Sequence, residues 1–237
     1  MAKSPDQSSP AAFPLRGWFA DTHPGFRQAI FAMARPKSYA AGHVIYKAGD
    51  AGREFFGVRS GVVTMQGRFT HPDAVMLHML RAGDWFGTAP VLAGRSRRAT
   101  AVARTDVELL LVPGGELQAL LRHHPEWIVD LARDVVYFLD VALQGSADLL
   151  IRDAAARCAA VLLRLAGRRW ASEPDADLPA EIPVSQSDLA MLCNLSRSTV
   201  SRVVKELAGH RLVTLGYKSL TVIDPTRLRA VADGGGL

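Results

Sequence analysis

Short runs of alternating apolar and polar residues, separated by glycines, fill the chain between residues 40 and 113. The runs read HVIYKAG, EFFGVRSG, VVTMQG, AVMLHMLRAG and ATAVARTDVELLLV. Short β-like runs with turn residues at regular spacing are typical of an all-β sandwich or barrel. Residues 24–34, PGFRQAIFAMA, precede the runs and predict one short helix. The pattern therefore predicts a compact β domain in the first half of the chain.

The pattern becomes helical after Pro113, and apolar residues then recur every three or four positions. The helix predicted over residues 126–144 carries two apolar stripes, and a helix that is apolar on two sides must be covered twice. One stripe comprises Ile128, Leu131, Val135, Phe138 and Ala142, and the other comprises Val129, Ala132, Val136, Leu139 and Leu143. We expect one stripe to lie on the β domain and the other, with its heptad-like spacing, to pack against the same helix of a second subunit. A central helix of a monomeric core is the alternative.

Three weaker signals mark the segments around these elements. A second helical stretch, LLIRDAAARCAAVLLRLAG, ends at Gly167, and Gly145 with Ser146 before it is the predicted hinge. Residues 168–181 are polar and contain prolines, which predicts a loop. The start of the chain, MAKSPDQSSPAAFP, is rich in Ser, Pro and Ala and predicts a disordered tail, which we place at residues 1–20.

Residues 184–215, VSQSDLAMLCNLSRSTVSRVVKELAGHRLVTL, contain the signals of two short helices joined by a tight turn. Ser185 followed by Asp188 is a plausible capping arrangement for the first helix. Asn194 tolerates the left-handed conformation that such a turn requires, and Ala190 is small enough for a second helix to cross close by. Ser196 is placed to cap that second helix. The segment therefore predicts a helix-turn-helix.

The second of these helices has one apolar and one hydrogen-bonding face. Its apolar positions repeat at i, i+3, i+4 and i+7 and comprise Val200, Val203, Val204 and Leu207. The opposite face carries Arg197, Ser198, Ser201 and Arg202. Arginine makes bidentate contacts to guanine O6 and N7, and hydroxyls reach phosphates or base edges, so this face is suited to a DNA duplex. An ordinary helical hairpin with a solvated basic face is the alternative.

Charge and the following residues support the DNA interpretation. The chain carries 28 Lys and Arg against 23 Asp and Glu, a net charge of +5, and residues 182–229 alone have an excess of four positive charges. After the second helix, RLVTLGYKSLTVID predicts two strands around Gly216, with Tyr217 and Lys218 at the tip. Such a hairpin is a wing, whose tip is placed to contact the phosphate backbone.

Composition excludes several classes of protein. The chain is 49% apolar and 22% charged over 237 residues, which is typical of one large or two modest globular domains rather than a disordered chain. Cys158 and Cys193 are its two cysteines and form no CxxC pair, so we expect a reducing compartment and no zinc or iron–sulfur site; no cofactor is identifiable. No stretch approaches 18 consecutive apolar residues and the start lacks a secretory apolar region, so we expect a soluble, cytoplasmic protein without a membrane partner.

These features together resemble the transcription regulators of the cyclic-AMP receptor protein and FNR (Crp/Fnr) family, from about residue 21 to residue 230. The segment SRSTVSRVVKEL carries most of the resemblance, and GDWFG at 83–87 with GRSRRATAVA at 94–103 is similar to the family's phosphate-binding cassette. The resemblance implies an α+β fold with an N-terminal β-roll of the cyclic-nucleotide-binding jelly-roll type (21–124), a long dimerisation helix (125–145) and a C-terminal winged helix-turn-helix (146–237). It implies a homodimer that binds double-stranded DNA and acts with RNA polymerase.

The resemblance also assigns DNA-contacting residues, position by position. It places base-reading side chains at Arg197, Ser198 and Arg202, with Ser201 on the same face, and backbone contacts at Ser185, Gln186, Ser187 and Thr199 as well as Lys218 in the wing. Ser198 departs from the glutamate common at its position, so the operator sequence stays open. Activation and repression are not distinguished by these residues.

The cassette departs further from cyclic-AMP binders, in which a glutamate holds the ribose, an Arg-Ser pair holds the phosphate and polar residues of the long helix meet adenine. The matching positions here are Gly87, Thr88, Arg97, Arg98, Ala142 and Leu143. Of the ligand-binding side chains of cyclic-AMP binders only the arginine is present, as Arg97, so we expect an effector other than cyclic AMP. Arg97 either binds an anionic effector or is merely solvated.

Two rival classes of protein share some of these features. A cupin-like metalloenzyme needs clustered ligands, whereas His43, His71 and His78 are dispersed, and no Walker loop, GxSxG elbow or Cys/His pairing is present. Within the family, a haem or gas sensor with an apolar pocket lined by Val136, Leu139 and Leu143 is an alternative, as is a regulator that needs no effector. We therefore expect a regulator rather than an enzyme.

Overall fold

The computed structural model describes residues 13–67, 75–169 and 176–236. Its contacts divide the chain into two compact units: the first runs to residue 139 without residues 73–78, and the second consists of those residues with 140–237. Among the described residues, no helix is both long and apolar enough to cross a membrane.

The first unit opens with two helices, α1 (Gly17–Ala20) and α2 (Pro24–Met33), the second of which matches the predicted short helix. Phe13 and Phe19 are buried, and their rings lie 5.2 and 4.6 Å from the ring of Trp85. The predicted disordered tail over residues 1–20 is therefore wrong for residues 13–20, because the aromatic side chains in this stretch bury against the core. Residues 1–12 of that prediction lie outside the described residues.

The β domain predicted from the glycine-punctuated runs is present as two four-stranded sheets. Their orders are β1-β8-β3-β6 and β2-β7-β4-β5. The strands are β1 (Arg35–Tyr39), β2 (Val44–Tyr46), β3 (Phe55–Ser60), β4 (Val62–Gly67), β5 (Val75–Arg81), β6 (Trp85–Phe86), β7 (Thr100–Ala103) and β8 (Val107–Val112), with helix α3 (Thr88–Ala93) after β6. Phe56, Val63, Phe86 and Leu109 form part of the core between the sheets. This is the jelly-roll-like architecture that the resemblance implies.

Two helices follow the strands: α4 (Gly114–His123) and, after a 3₁₀ turn (Pro125–Trp127), the long α5 (Ile128–Leu150). The predicted hinge at Gly145 and Ser146 is wrong, because α5 continues through both. The Ser146 hydroxyl donates to the Ala142 carbonyl at 2.9 Å inside the helix, and one internal glycine costs a helix only about 1 kcal/mol. The break comes instead at residues 151–153, where the Asp153 carboxylate caps the next helix by accepting from Ala156 N at 2.7 Å.

The two apolar stripes of α5 have different environments. In the first stripe Leu131 is fully buried and Phe138 packs against the β core, whereas Ile128 and Val135 are about half exposed. In the second stripe the large side chains are all more than half exposed: Val129, Val136, Leu139 and Leu143. Only one stripe is thus partly covered within the chain.

The second unit is built around α6 (Ala154–Ala166), whose residues 158–166 are all buried. The other elements are β9 (Ala180–Ile182), α7 (Gln186–Cys193), α8 (Arg197–Gly209), β10 (Val213–Gly216), β11 (Ser219–Val222) and α9 (Pro225–Ala232). Helix α6 packs against α7, α8 and α9, and the strands form an antiparallel sheet of order β10-β11-β9. The loop predicted over 168–181 ends in β9, and its residues 170–175 lie outside the described residues.

Candidate nucleic-acid interface and cassette of the β domain

The first helix of the predicted helix-turn-helix, α7, begins with a complete capping box. The Ser185 hydroxyl accepts from Asp188 N at 3.1 Å, and the Asp188 carboxylate accepts from Ser185 N at 2.9 Å. These two bonds satisfy N–H groups that lack partners inside the helix. Gln186 lies half-buried and Ser187 exposed in the same first turn. The predicted start of α7 is confirmed to the residue.

The turn between the helices has the backbone that the sequence predicts. Asn194 takes φ +49° and ψ +50°, the left-handed conformation. Leu195 N donates to the Ala190 carbonyl at 2.9 Å, which closes the end of α7. The Ser196 hydroxyl then accepts from Thr199 N at 3.1 Å and caps α8. The end of α7 and the start of α8 are therefore both capped within this short turn.

Helix α8 exposes the face that was predicted to contact DNA. Its four predicted apolar residues, Val200, Val203, Val204 and Leu207, are all buried. On the opposite side Arg197, Ser198 and Arg202 are exposed, with Ser201 partly so. The hydroxyls of Ser198 and Thr199 lie 2.9 and 2.8 Å from the Ser196 hydroxyl, and an Arg202 guanidinium nitrogen lies 3.7 Å from the Glu206 carboxylate. Both arginine side chains of this face are thus exposed to solvent.

The wing is a hairpin with a two-residue tip. Gly216 pairs with Ser219 at the end of β10 and β11, which leaves Tyr217 and Lys218 as the loop. Tyr217 is 89% exposed, and Lys218 has φ +54° with its ammonium nitrogen 5.4 Å from the centre of the Tyr217 ring. The wing predicted from the strands around Gly216 is confirmed in position and in the residues at its tip.

Two arginines of α6 that the sequence analysis did not identify form hydrogen bonds to neighbouring segments of the second unit. Arg164 Nε donates to the Asp148 carboxylate at 2.8 Å, with both side chains only 5% exposed, and so links the last turns of α5 to α6. Arg157 donates to the Ile151 carbonyl at 2.7 Å and to the Cys193 carbonyl at 3.1 Å. A polar residue inside an otherwise apolar helix is the sequence signal for both.

In the cassette, the interpretation of Arg97 as a solvated loop residue is wrong, because its side chain is 1% exposed. One guanidinium nitrogen donates to the Glu54 carbonyl at 2.6 Å and lies 3.2 Å from the Glu54 carboxylate; the other donates to the Gly87 carbonyl at 3.2 Å. The guanidinium carbon lies 4.2 Å from the centre of the Tyr46 ring. Gly87 has φ +99°, and a Cβ there would lie 2.7 Å from the Arg97 side chain. Arg98 is exposed.

Thr88 is buried at the start of α3, and its hydroxyl is hydrogen-bonded to the Asp134 carboxyl. Asp134 comes from α5 and is 1% exposed. Burial raises the pKa of this carboxyl to about 8, against which the hydrogen bond from Thr88 acts. Sequence reasoning missed Asp134, although it lies at helical spacing between the inward residues Leu131 and Phe138. A carboxyl thus stands beside Thr88 although the expected glutamate is absent.

The remaining candidate residues of the cassette belong to different units. Ala142 and Leu143 lie exposed on α5 in the second unit, whereas Gly87, Thr88 and Arg97 belong to the first. No three His, Cys, Asp or Glu side chains within the described ranges are grouped so as to hold a metal ion. His43 is exposed, His78 is buried, and His71 lies outside those ranges.

Comparison with protein families assigns both parts of the chain. Residues 36–124 match the family described as cyclic nucleotide-binding domain, and residues 156–231 match the Crp-like helix-turn-helix domain. The first match covers the β sheets and α4, and the second runs from α6 to α9.

Relatives among characterised proteins match along nearly the whole length. The chain is 31% identical over 196 residues to the cyclic AMP receptor protein of Thermus thermophilus, a match that covers 83% of this chain and 87% of that protein. It is 25% identical over 212 residues to the CRP-like cAMP-activated global transcriptional regulator of Mycobacterium tuberculosis, covering 90% and 94%.

Solved structures show the same architecture. A transcriptional regulator of the CRP/FNR family from Thermus thermophilus is 27% identical, with a TM-score of 0.64 over 85% of this chain and 100% of that chain. FixK2 from Bradyrhizobium japonicum is 22% identical, with a TM-score of 0.70 over 84% and 96%, and supports the fold alone.

Proposed function

We propose that this chain, which belongs to the Crp/Fnr family of transcription regulators, binds a near-palindromic operator as a homodimer. The relatives compared above are named as regulators and not as enzymes. Its β domain serves as a sensor whose effector is not cyclic AMP. The protein acts in the cytoplasm, where the bound dimer contacts RNA polymerase, as the resemblance implies.

The exposed face of α8 is the observation that carries this proposal. The buried apolar side of α8 leaves Arg197, Ser198 and Arg202 exposed at its start. In this arrangement Arg197, Ser198 and Arg202 contact base edges in the major groove. The phosphate contacts come from Ser185, Gln186, Ser187 and Thr199, together with Lys218 of the wing.

Pairing of two α5 helices accounts for the exposed apolar stripe. Val129, Val136 and Leu143 recur every seven residues, and Leu139 lies three residues after Val136. This is the a and d spacing of a parallel coiled coil. The four side chains are more than half exposed in the single chain, so covering them in a dimer removes apolar surface from water.

Selection from random DNA tests the proposed function. The wild-type protein is mixed with random-sequence duplexes, with and without cell extract, and the retained sequences are determined. We expect an inverted repeat with half-sites about 10 bp apart. If the extract contains an effector, the amount of retained DNA should change when extract is added. The variant Arg197→Ala/Arg202→Ala is the control and should retain no repeat. Retention of unrelated sequences by the wild type, equal to that of the control, would contradict the proposal.

The cassette supports an effector other than cyclic AMP, although relatives carry cAMP activation in their names. The two terminal nitrogens of Arg97 are paired with Glu54 and two carbonyls, while its Nε is buried without a hydrogen-bond partner among the described residues, and the Thr88 hydroxyl is bonded to Asp134. Ala142 and Leu143, which occupy the positions that the family resemblance assigns to adenine contacts, carry no side-chain hydrogen-bonding group. Each unsatisfied group of a buried ligand costs about 1–3 kcal/mol.

Isothermal titration of the DNA-free protein with cyclic AMP tests this part of the proposal. We expect no binding in the low micromolar range, since two missing hydrogen bonds weaken binding by roughly two to four powers of ten. A dissociation constant in the low micromolar range or below, accompanied by tighter operator binding, would show that cyclic AMP is the effector.

A further inference from the structure

Asp148 and Arg164 form a buried ion pair between the last turn of α5 and helix α6. Arg164 Nε donates to an oxygen of the Asp148 carboxylate at 2.8 Å, and each side chain is only 5% exposed. Every other buried residue of α6 is uncharged. Because either charge would be costly to bury without the other, the two side chains hold one defined geometry.

The guanidinium of Arg164 lies along the surface of α5. Gly145 precedes Asp148 by three residues, so the two positions share one face of the helix. A Cβ added at Gly145 would lie 3.8 Å from the guanidinium carbon and 3.9 Å from both terminal nitrogens. Arg164 therefore lies against about one turn of α5 and does not meet it at a single atom.

Helix α6 is attached to the end of α5 at two places. At the start of α6, Arg157 Nε donates to the carbonyl of Ile151, the residue that follows α5, at 2.7 Å. Arg164 comes seven residues later on α6, about 10 Å further along the helix axis at 1.5 Å per residue. One attachment lets a helix swing about that point, whereas two at this separation define its direction. The Asp148–Arg164 pair thus fixes the direction of α6 relative to the last turns of α5.

The two helices joined by this pair have different tasks in the proposed dimer. The main packing partners of α6 are α7, α8 and α9, so α6 carries the helix-turn-helix. Leu143, in the exposed stripe that we assign to the subunit contact, lies on α5 five residues before Asp148. Both members of the pair are buried and neither belongs to the exposed face of α8. Any effect of the pair on DNA binding must therefore act through the placement of the recognition helix.

We propose that Asp148 and Arg164 are positioning residues for operator binding: their ion pair holds the helix-turn-helix in one orientation on α5, so that both recognition helices of a dimer reach their half-sites together. This rests on the proposed function, since it requires a dimer on two half-sites. Once one half-site is bound, binding of the second is intramolecular, and its strength depends on how well the second recognition helix is held at the required spacing. Loosening the joint therefore weakens binding to two half-sites and leaves binding to one unchanged.

The test compares the affinity of the full-length protein for three duplexes. The first is the duplex that the wild type selects from random DNA, the second has one half-site replaced by unrelated sequence, and the third has two base pairs inserted between the half-sites. The variant is Asp148→Leu/Arg164→Met, which removes both charges together and leaves no unpaired charge in the interior. Gly145→Ala is the matched control, because its Cβ lies on the same face of α5 at ordinary contact distance from Arg164 and the ion pair is kept.

The expected result is a change in ratios of affinity. The wild type and Gly145→Ala should bind the selected duplex at least about 100-fold more tightly than the half-site duplex, and should lose at least about ten-fold on insertion. The double variant should bind the half-site duplex as the wild type does, bind the selected duplex about ten-fold more weakly, and lose less than about three-fold on insertion. A pair that contributes only to stability would leave the ratio of the two affinities unchanged.

Different results overturn different parts. The wild-type ratio and the wild-type loss on insertion, found again in the double variant, contradict the positioning role alone. If the double variant does not bind the half-site duplex, Arg164→Lys, which keeps the charge and removes the Nε donor, takes its place and the same ratio decides. A wild type that tolerates the insertion contradicts a fixed joint whatever the variants do. A wild type that binds the half-site duplex as tightly as the selected one contradicts the proposed dimeric function, and with it any role of the pair in operator binding.

Discussion

Asp134 is a buried carboxyl whose ionisation makes stability depend on pH. Its pKa is raised from 3.8 to about 8 by burial, so between these values the folded chain holds a proton that the unfolded chain has lost. Stability from this group is therefore complete at low pH and falls as pH rises toward 8. Asp134→Asn keeps an acceptor for Thr88 without a buried charge. We expect the melting temperature of the variant minus that of the wild type to increase as pH rises from 5 to 8.5.

The control for this experiment is Asp140→Asn, an exposed carboxyl on the same helix. Its melting temperature should differ from that of the wild type by the same small amount at every pH. A difference between Asp134→Asn and wild type that stays constant with pH would show that Asp134 does not titrate in this window.

Arg202 and Lys218 have different expected roles at the DNA. Arg202→Ala should cost about 1–3 kcal/mol and relax the preference at one base pair, because a base-edge contact is lost. Lys218→Ala should weaken binding evenly across sequences and reduce the salt slope by about 1, because a phosphate contact is lost. Competition against single-base variants of the selected operator separates the two. An equal loss on every sequence for Arg202→Ala would exclude base reading.

Caps and turns that depend on neighbouring residues in the chain were predictable from the sequence. Contacts between side chains far apart in the chain were not. The cap at Ser185 and the left-handed Asn194 follow from the few residues around them. The burial of Arg97 depends on Glu54 and Tyr46, and that of Arg164 on Asp148, partners that no local pattern identifies. Side-chain spacing therefore predicted which residues of α8 are buried and which are exposed, whereas it could not predict the partners of Arg97.

Among the elements, helix α7 depends on its capping box. Ser185→Ala removes one acceptor of the box, and a lost N-cap typically costs about 1 kcal/mol. We expect chemical denaturation to show a free energy of unfolding lower by that amount. Ser187→Ala, exposed in the same turn, is the control and should change stability by less than about 0.5 kcal/mol. Equal effects of the two substitutions would show that the box does not hold the helix.

The elements that the sequence analysis missed lack a strong periodic signal. Strand β1 reads RPKSY and is almost wholly exposed, so it shows no apolar alternation. Helix α9 is short, although Asp224 as its cap and Pro225 as its first residue are a recognisable start. Helix α5 extends beyond its predicted end, and Gly145 inside it is helical and lies close to the Arg164 side chain.

For the whole molecule, the exposed stripe of α5 predicts the assembly. Replacing both Leu139 and Leu143 by lysine places two charges in the proposed subunit contact, and we expect light scattering to give a monomer mass at micromolar concentration where the wild type gives a dimer. Leu178→Lys, a similarly exposed leucine outside α5, is the control and should leave the dimer intact. A wild-type monomer at this concentration would contradict the homodimer.

A dimer that binds a near-palindrome requires both half-sites on one face of the duplex. Changing the spacing of the half-sites therefore tests most directly whether the protein binds its operator as a dimer. The stoichiometry and affinity of the wild-type protein are measured on the selected duplex and on one with five base pairs inserted at its centre, about half a helical turn. The account predicts two protomers on the selected duplex and a loss of affinity of at least ten-fold on insertion. One protomer per duplex, with affinity unchanged by the insertion, would contradict it.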